Sequence, residues 1–169
     1  MAGDFQLIPR EGSWLGTGFY LFYRAPGRAA EWARIVADRR RKKVPTIAPA
    51  VIECEVDLAD TINLLDSTDR HWEALKRLAT ASIRTPRQLG PWSMVSDPSN
   101  PQLYRNYDDN DLVNAYVELL RQHRPVSSIM AAFMEGAPVF ETSWLYDHSH
   151  LCISVLTKDA IRSRKLLEL

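Results

Sequence analysis

A chain of 169 residues with 46% apolar content can bury a core of its own in one domain, which excludes the disordered and the disulfide-stapled classes. Lys plus Arg and Asp plus Glu number 21 each, so no global field directs the chain to nucleic acid or to a membrane surface. No apolar run reaches the roughly 18 residues of a membrane span, and Met1-Ala2-Gly3-Asp4 does not open a signal peptide, so a cytoplasmic protein that binds no membrane is the expectation.

Phe5 to Ile8 reads as a short strand or lead-in. Gly16-Thr17-Gly18 then enters Phe19-Tyr20-Leu21-Phe22-Tyr23, an aromatic run that predicts a buried strand. After Pro26-Gly27, helical spacing of Ala29, Trp32, Ala33, Val36 and Ala37 predicts a helix over 28–42 that Pro45 and Pro49 end. Val51 to Leu58 alternates Val51, Cys54, Val56 and Leu58 with Glu53, Glu55 and Asp57, the pattern of a strand with one wet face. Asp66 or Ser67 can cap a helix over 68–82, with Trp72, Leu75, Leu78 and Ala79 as its apolar stripe.

Residues 84–107 carry Pro86, Pro91, Pro98 and Pro101 and predict a long irregular loop. Asp108-Asp109 starts a helix to Gln122 that turns Leu112, Val113, Tyr116, Leu119 and Leu120 inward. Two strands, near 128–134 and 150–156, close the chain. Separated strands without strict βαβ alternation give an α+β domain. Cys54 and Cys152 both lie in apolar runs, the usual place of a buried reduced thiol, and nothing in their positions requires a disulfide.

A glycine pair ahead of an aromatic strand permits close approach of backbone to a ligand. Tyr20 and Trp32 can then offer flat faces to a heteroaromatic ring, or can simply be core residues of strand and helix. Trp14-Leu15-Gly16-Thr17-Gly18-Phe19-Tyr20-Leu21-Phe22 followed by Ala29-Ala30-Glu31-Trp32-Ala33 resembles the second motif of the ADP-ribosyltransferase superfamily, nearest its diphtheria-toxin and poly(ADP-ribose) polymerase branch. Residues 50–58 resemble the strand that follows there. Phe133-Met134-Glu135-Gly136-Ala137-Pro138 with His150-Leu151-Cys152-Ile153-Ser154-Val155 is similar to bacterial toxin-like members, and together these pieces span most of 12–161.

The resemblance implies a split β-sheet core with surrounding helices, a single domain, and NAD held as substrate in a cleft between two small sheets. It implies an enzyme of bacterial toxin or phage-defence type, with NAD-binding residues Gly16, Thr17, Gly18, Tyr20 and Trp32. Two departures accompany it. The family's His-Gly pair occurs nowhere in the sequence, so the first motif is lacking, lies before this chain or has been shortened away. The position of the family's strand glutamate is taken by Cys152, with no acid in that strand.

A carboxylate near the ribose stabilises the cationic state formed as nicotinamide leaves. Glu135 and Glu141 are the candidates, with His150 as a base and Tyr20 beside the reacting ring; each has a plain reading as a turn, edge or core residue. Three functions therefore stand: transfer of ADP-ribose to an unidentified protein, nucleic-acid or small-molecule acceptor; a degenerate binding module that meets a partner such as an antitoxin; and NAD hydrolysis.

Two further signals are weaker. Arg39-Arg40-Arg41-Lys42-Lys43 suits a solvated helix end or a phosphate contact. His148 and His150 share a strand face with Asp147 close by, but no third and fourth metal ligand is evident, so no metal is expected.

Overall fold

In a computed structural model, residues 13–68, 70–84 and 101–167 are described, with backbone alone at 81–84 and 101–108. Strand β1 (Phe19–Phe22) is followed by helix α1 (Pro26–Arg41), strand β2 (Val51–Val56) and strand β3 (Thr61–Asn63). Helices α2 (Arg70–Arg84) and α3 (Pro101–Arg121) lead to strands β4 (Ser128–Phe133) and β5 (His150–Val155). A short 3-10 turn at Lys158–Ala160 precedes strand β6 (Ile161–Leu167). This is a mixed α+β architecture with three helices among the described residues.

The strands form two sheets. The first has the order β1-β5-β4-β3, antiparallel except for the β3–β4 pair, which is parallel. That parallel pair needs a crossover, and α2 and α3 provide it. The second sheet is the antiparallel ribbon β2–β6, with an irregularity between Glu55 and Val56.

Alternation along β5 puts a core on each face of the first sheet. Cys152 joins Leu15, Ile62, Leu75, Val113, Tyr116, Val117 and Ile129 on the side packed by α2 and α3. Ile153 and Val155 turn the other way and join Phe19 and Ala160, against which Val56, Leu58 and Ile161 of the ribbon region pack. Ile129 and Val155 have no exposed surface at all, so β4 and β5 are the centre of the fold.

Several expectations change. Helix α3 begins at Pro101, whose fixed φ suits a first helical position, so 101–107 are helical and not loop. Leu119 is exposed, and Val117 takes the inward place beside Val113 and Tyr116. Tyr23 lies past the end of β1 at the surface. Strands β3 and β6 had no predicted counterpart, and β6, not β5, is the last strand described. Phe5–Ile8 and 85–100 lie outside the described residues. Both cysteines are free thiols, Cys152 buried and Cys54 half-buried, and burial pushes the Cys54 thiol up. No helix among the described residues is long and apolar enough to cross a membrane.

Candidate functional site

A pocket of about 190 Å³ opens where β1 and β4 end and β5 begins. Its walls are aromatic: Trp14, Tyr20 and Phe22 on one segment, Trp32 from α1 and Phe133 from β4. Its polar lining comes from Ser13, Arg28, Glu135 and His150, with Cys152 beside them. No residue of β2 or β6 contributes, so the cavity lies against one sheet and not between two; the ribbon packs elsewhere, on the Phe19–Val155 core. Ligand sites for whole drug-sized molecules run to roughly 300–1,000 Å³. This one has room for a single ring, with the remainder of a larger ligand outside.

Tyr20 and Trp32 thus line one pocket together with Glu135 and His150. Glu141 is exposed and does not line it. Gly16, Thr17 and Gly18 do not line it either. The absence of a side chain at Gly18 is taken up by the protein itself: a Cβ there would collide with Ser154 Oγ and come within 2.8 Å of the Val155 carbonyl oxygen. At Gly16 it would lie 2.7 Å from Asn114 Oδ1, which accepts the Thr17 N–H at 2.9 Å. The glycine pair seats the β1 entrance against β5 and α3.

The Tyr20 hydroxyl closes the same turn. It accepts the Leu15 N–H at 2.7 Å and donates to the Gly16 carbonyl at 2.8 Å. Burial pushes its pKa up to about 12, against the opposing pull of the Leu15 N–H, so the hydroxyl is a neutral strut and its ring is what the pocket receives.

Arg28 organises the acidic side. Its side chain is 12% exposed and lies over the Phe22 ring, 5.7 Å from the centroid. One terminal nitrogen donates to Glu31 at 2.9 Å and the other to Glu135 at 2.7 Å. Burial works against its charge, but the bonds to Glu135 and Glu31 more than offset this and the guanidinium is held above its ordinary value. Glu31 also meets His148 Nε2 at 3.2 Å. Residues 28 and 135 are far apart in sequence, so this clamp joins α1 to the segment between β4 and β5.

That segment turns on Gly136, whose φ of +87° is left-handed. A side chain there would collide with the Asp147 carboxylate, which accepts the Ala137 N–H at 2.9 Å. His150 packs between Phe22 (centroids 4.8 Å apart) and Phe133 (6.0 Å). Its Nδ1 lies 2.9 Å from the His148 carbonyl oxygen, which can only accept, so Nδ1 carries the proton and Nε2 remains the acceptor in the neutral ring. Among the described residues no group of three or more His, Cys, Asp or Glu is placed to hold a metal ion.

Six lining residues, Ser13, Trp14, Leu21, Phe22, Arg28 and Phe133, were not singled out from the sequence as site residues. Trp14 and Phe133 pair at 4.7 Å across the mouth of β4, and both sit inside the quoted motifs, which was the available signal. The outer end of the β4–β5 segment was not anticipated either. There Met134, Val139, Phe140, Trp144 and Leu145 are 62–82% exposed, on a loop ordered by backbone bonds between Val139 and Leu145 and between Asp147 and Ala137.

Comparison of the chain with family models, with curated proteins and with solved structures finds no match.

Proposed function

We infer that this protein is an NAD-dependent ADP-ribosyltransferase of bacterial toxin or phage-defence type. The observation that carries the reading is that Tyr20 and Trp32, singled out from a sequence resemblance, line one ring-sized pocket whose polar lining includes a carboxylate and an imidazole. In this reading the nicotinamide end of NAD lies between the two aromatic faces, and the rest of the dinucleotide extends outside the pocket. Gly16, Thr17 and Gly18 serve by setting the turn that presents Tyr20.

The reaction breaks the bond between the ribose C1′ and the pyridinium nitrogen, and nicotinamide leaves with the electron pair. Positive charge builds on the ribose, and the Glu135 carboxylate, held by Arg28, stabilises it. An acceptor nucleophile then bonds to C1′, and its proton passes to Glu135 or to Nε2 of His150. With water as acceptor the same steps amount to NAD hydrolysis. Cys152 provides no carboxylate at its position, so Glu135, outside the strand, takes that role.

Release of nicotinamide from NAD is the test. The unaltered protein should release it, and Trp32→Ala should lower turnover at least tenfold, an effect of about 1.4 kcal/mol on the transition state. Turnover unchanged by Trp32→Ala removes the stacking role. A labelled acceptor then separates transfer from hydrolysis.

A second reading has its own support. Five large apolar side chains exposed on one ordered loop are the mark of a protein contact surface. On that reading the fold serves as an interaction module for a partner protein such as an antitoxin. It prevails if the protein releases no nicotinamide from NAD.

A further inference from the structure

The chain as a whole is neutral, but one stretch of it is not. Arg39, Arg40, Arg41, Lys42 and Lys43 hold five of the 21 cations, so the remaining residues carry a net charge of −5. All five are exposed, at and just past the end of α1. Arg41 is taken up by the fold: it pairs with Asp38 at 2.5 Å, and its Nε donates to the Ile47 carbonyl at 3.2 Å. Among the described residues no carboxylate pairs with the other four. The exposed cations of β6 are placed differently, since Arg162 pairs with Asp57 and Lys165 stands opposite Glu53.

Cations in the last turn of a helix complement its dipole, which accounts for some of this charge. It does not account for five in a row. Lys42 and Lys43 follow Arg39 by three and four residues, and like charges at those spacings repel. The backbone holds them together all the same, because the Arg40 carbonyl accepts the Lys43 and Val44 N–H groups at 2.9 Å each. A polyanion relieves the repulsion, and the surroundings select its kind. Protein contact surfaces centre on apolar side chains and are poor in Lys, and a segment lying on a membrane needs apolar side chains to insert. Here Val44 is the one large apolar side chain exposed in 38–46. The phosphodiester chain of a nucleic acid asks chiefly for cations, and arginine meets phosphate with a planar fork of donors.

The basic run also starts beside the pocket. Arg28, Trp32 and Arg39 follow one another at spacings of four and seven, so they share one face of α1. Arg28 and Trp32 line the pocket, and the Arg39 guanidinium lies over the Trp32 ring, 5.9 Å from its centroid. Two helical turns, roughly 10 Å, therefore separate the pocket wall from the first cation of the run.

We propose that the basic end of α1 binds the phosphate backbone of a nucleic acid, with Arg39, Arg40, Lys42 and Lys43 as the contacts. A strand held there runs past the pocket, which makes nucleic acid the acceptor class of the transfer reaction. That second part rests on the NAD reading; the binding surface does not. In the transfer a nucleophile of the strand bonds to the ribose C1′ as nicotinamide leaves with the electron pair, and the nucleophile's proton passes to Glu135.

Fluorescence anisotropy of labelled 20-nucleotide single-stranded DNA, the same sequence as RNA, and the DNA duplex, all without NAD, tests the surface. At least one should bind, and the tightest names the acceptor's form. With four phosphate contacts to a single strand, raising salt from 50 to 200 mM should weaken binding about 50-fold. The triple variant Arg40→Gln, Lys42→Gln, Lys43→Gln spares Arg39 at the pocket and Arg41 in the fold. It should bind at least tenfold more weakly at 50 mM salt and lose only about threefold over the same salt range. The double variant Arg162→Gln, Lys165→Gln removes charge elsewhere and should stay within about twofold of the unaltered protein. No binding of any of the three probes overturns the proposal, as does a triple variant that binds as tightly as the unaltered protein. Tighter binding to vesicles of anionic lipid, or to poly-glutamate of equal charge, overturns it in favour of a membrane or an acidic protein. With radiolabelled NAD, label should pass to the bound oligonucleotide. Release of nicotinamide with no label on the strand overturns the acceptor assignment. Absence of nicotinamide release defeats the NAD reading instead, and the anisotropy still decides the surface.

Discussion

Two segments border the pocket and treat their apolar side chains in opposite ways. Residues 13–22 turn inward: Leu15 and Phe19 are buried in the two cores, and even the polar end of Tyr20 is tied to backbone. Residues 134–149 turn outward, with Trp144 82% and Leu145 71% exposed on a loop that its own hydrogen bonds keep in shape. The first segment is scaffold that places a ring. The second has order without burial, so packing within this chain does not explain its composition. Stability and function should therefore separate by segment: changes in 13–22 should unfold the protein, and changes at the loop tip should leave it folded.

The largest expected effect is at Gly18. An alanine there must push apart β1 and β5 at Ser154 and Val155, residues with no exposed surface and no room to move. Overpacking of this kind costs about 1–3 kcal/mol, sometimes more, against a typical total of about 5–15 kcal/mol. Denaturant unfolding of Gly18→Ala should show a midpoint lowered by about 3 kcal/mol in free-energy terms. A loss below about 0.5 kcal/mol would mean that the entrance to β1 is loosely packed, and the contrast between the two segments would weaken.

Next comes Tyr20, where the effect depends on pH. Its hydroxyl titrates near 12 in the folded protein, against about 10 in an unfolded chain. Between those values the unfolded state loses its proton while the folded state keeps it. The stability contributed is therefore complete below about pH 10 and lost as pH rises toward 12. After discounting for partial exposure, the fall across that window is about 1–2 kcal/mol. Tyr20→Phe should flatten this alkaline decline. At neutral pH it should also destabilise the fold by about 1–3 kcal/mol, because the Leu15 N–H loses its acceptor. An alkaline decline that persists in Tyr20→Phe assigns it to another group.

The scaffold segment was also the legible one, for a physical reason. A strand that packs side chains on both faces needs a near-continuous run of apolar and aromatic residues, and Phe19 to Phe22 is such a run; α1, α2 and β4 likewise carry the period of the surface they bury. Strand β6 was not legible. Arg162, Ser163, Arg164 and Lys165 are all exposed on a two-stranded ribbon, so neither face imposes alternation. Strand β3 is only three residues long, and its place comes from pairing with Ser128–Met130, which no local pattern encodes. At the site, Tyr20, Trp32, Glu135 and His150 were found through a motif. Arg28 was not, because its role exists only through contact with a carboxylate that the fold brings back from the β4–β5 segment.

The smallest expected effect is at the loop tip, and it is the sharpest test of the contrast. Trp144 and Phe140 are 82% and 62% exposed, so replacing both by Ser removes little buried apolar surface. At roughly 25 cal/mol per Å² of surface withdrawn from water, side chains that remain mostly wet contribute only a fraction of the 1.5–3 kcal/mol of a buried one. The double variant should therefore unfold within about 0.5 kcal/mol of the unaltered protein, because the backbone bonds that shape the loop do not pass through either side chain. Ser143 holds the turn between them through its hydroxyl, which accepts the Leu145 N–H at 3.0 Å. Ser143→Ala should for that reason destabilise the loop more than loss of both aromatics, despite removing a single atom. Hydrogen exchange of the Leu145 amide reads this directly: faster in Ser143→Ala, unchanged in the double variant. If the double variant instead exchanges faster, the aromatics hold the loop together, and the outward segment is scaffold like the inward one.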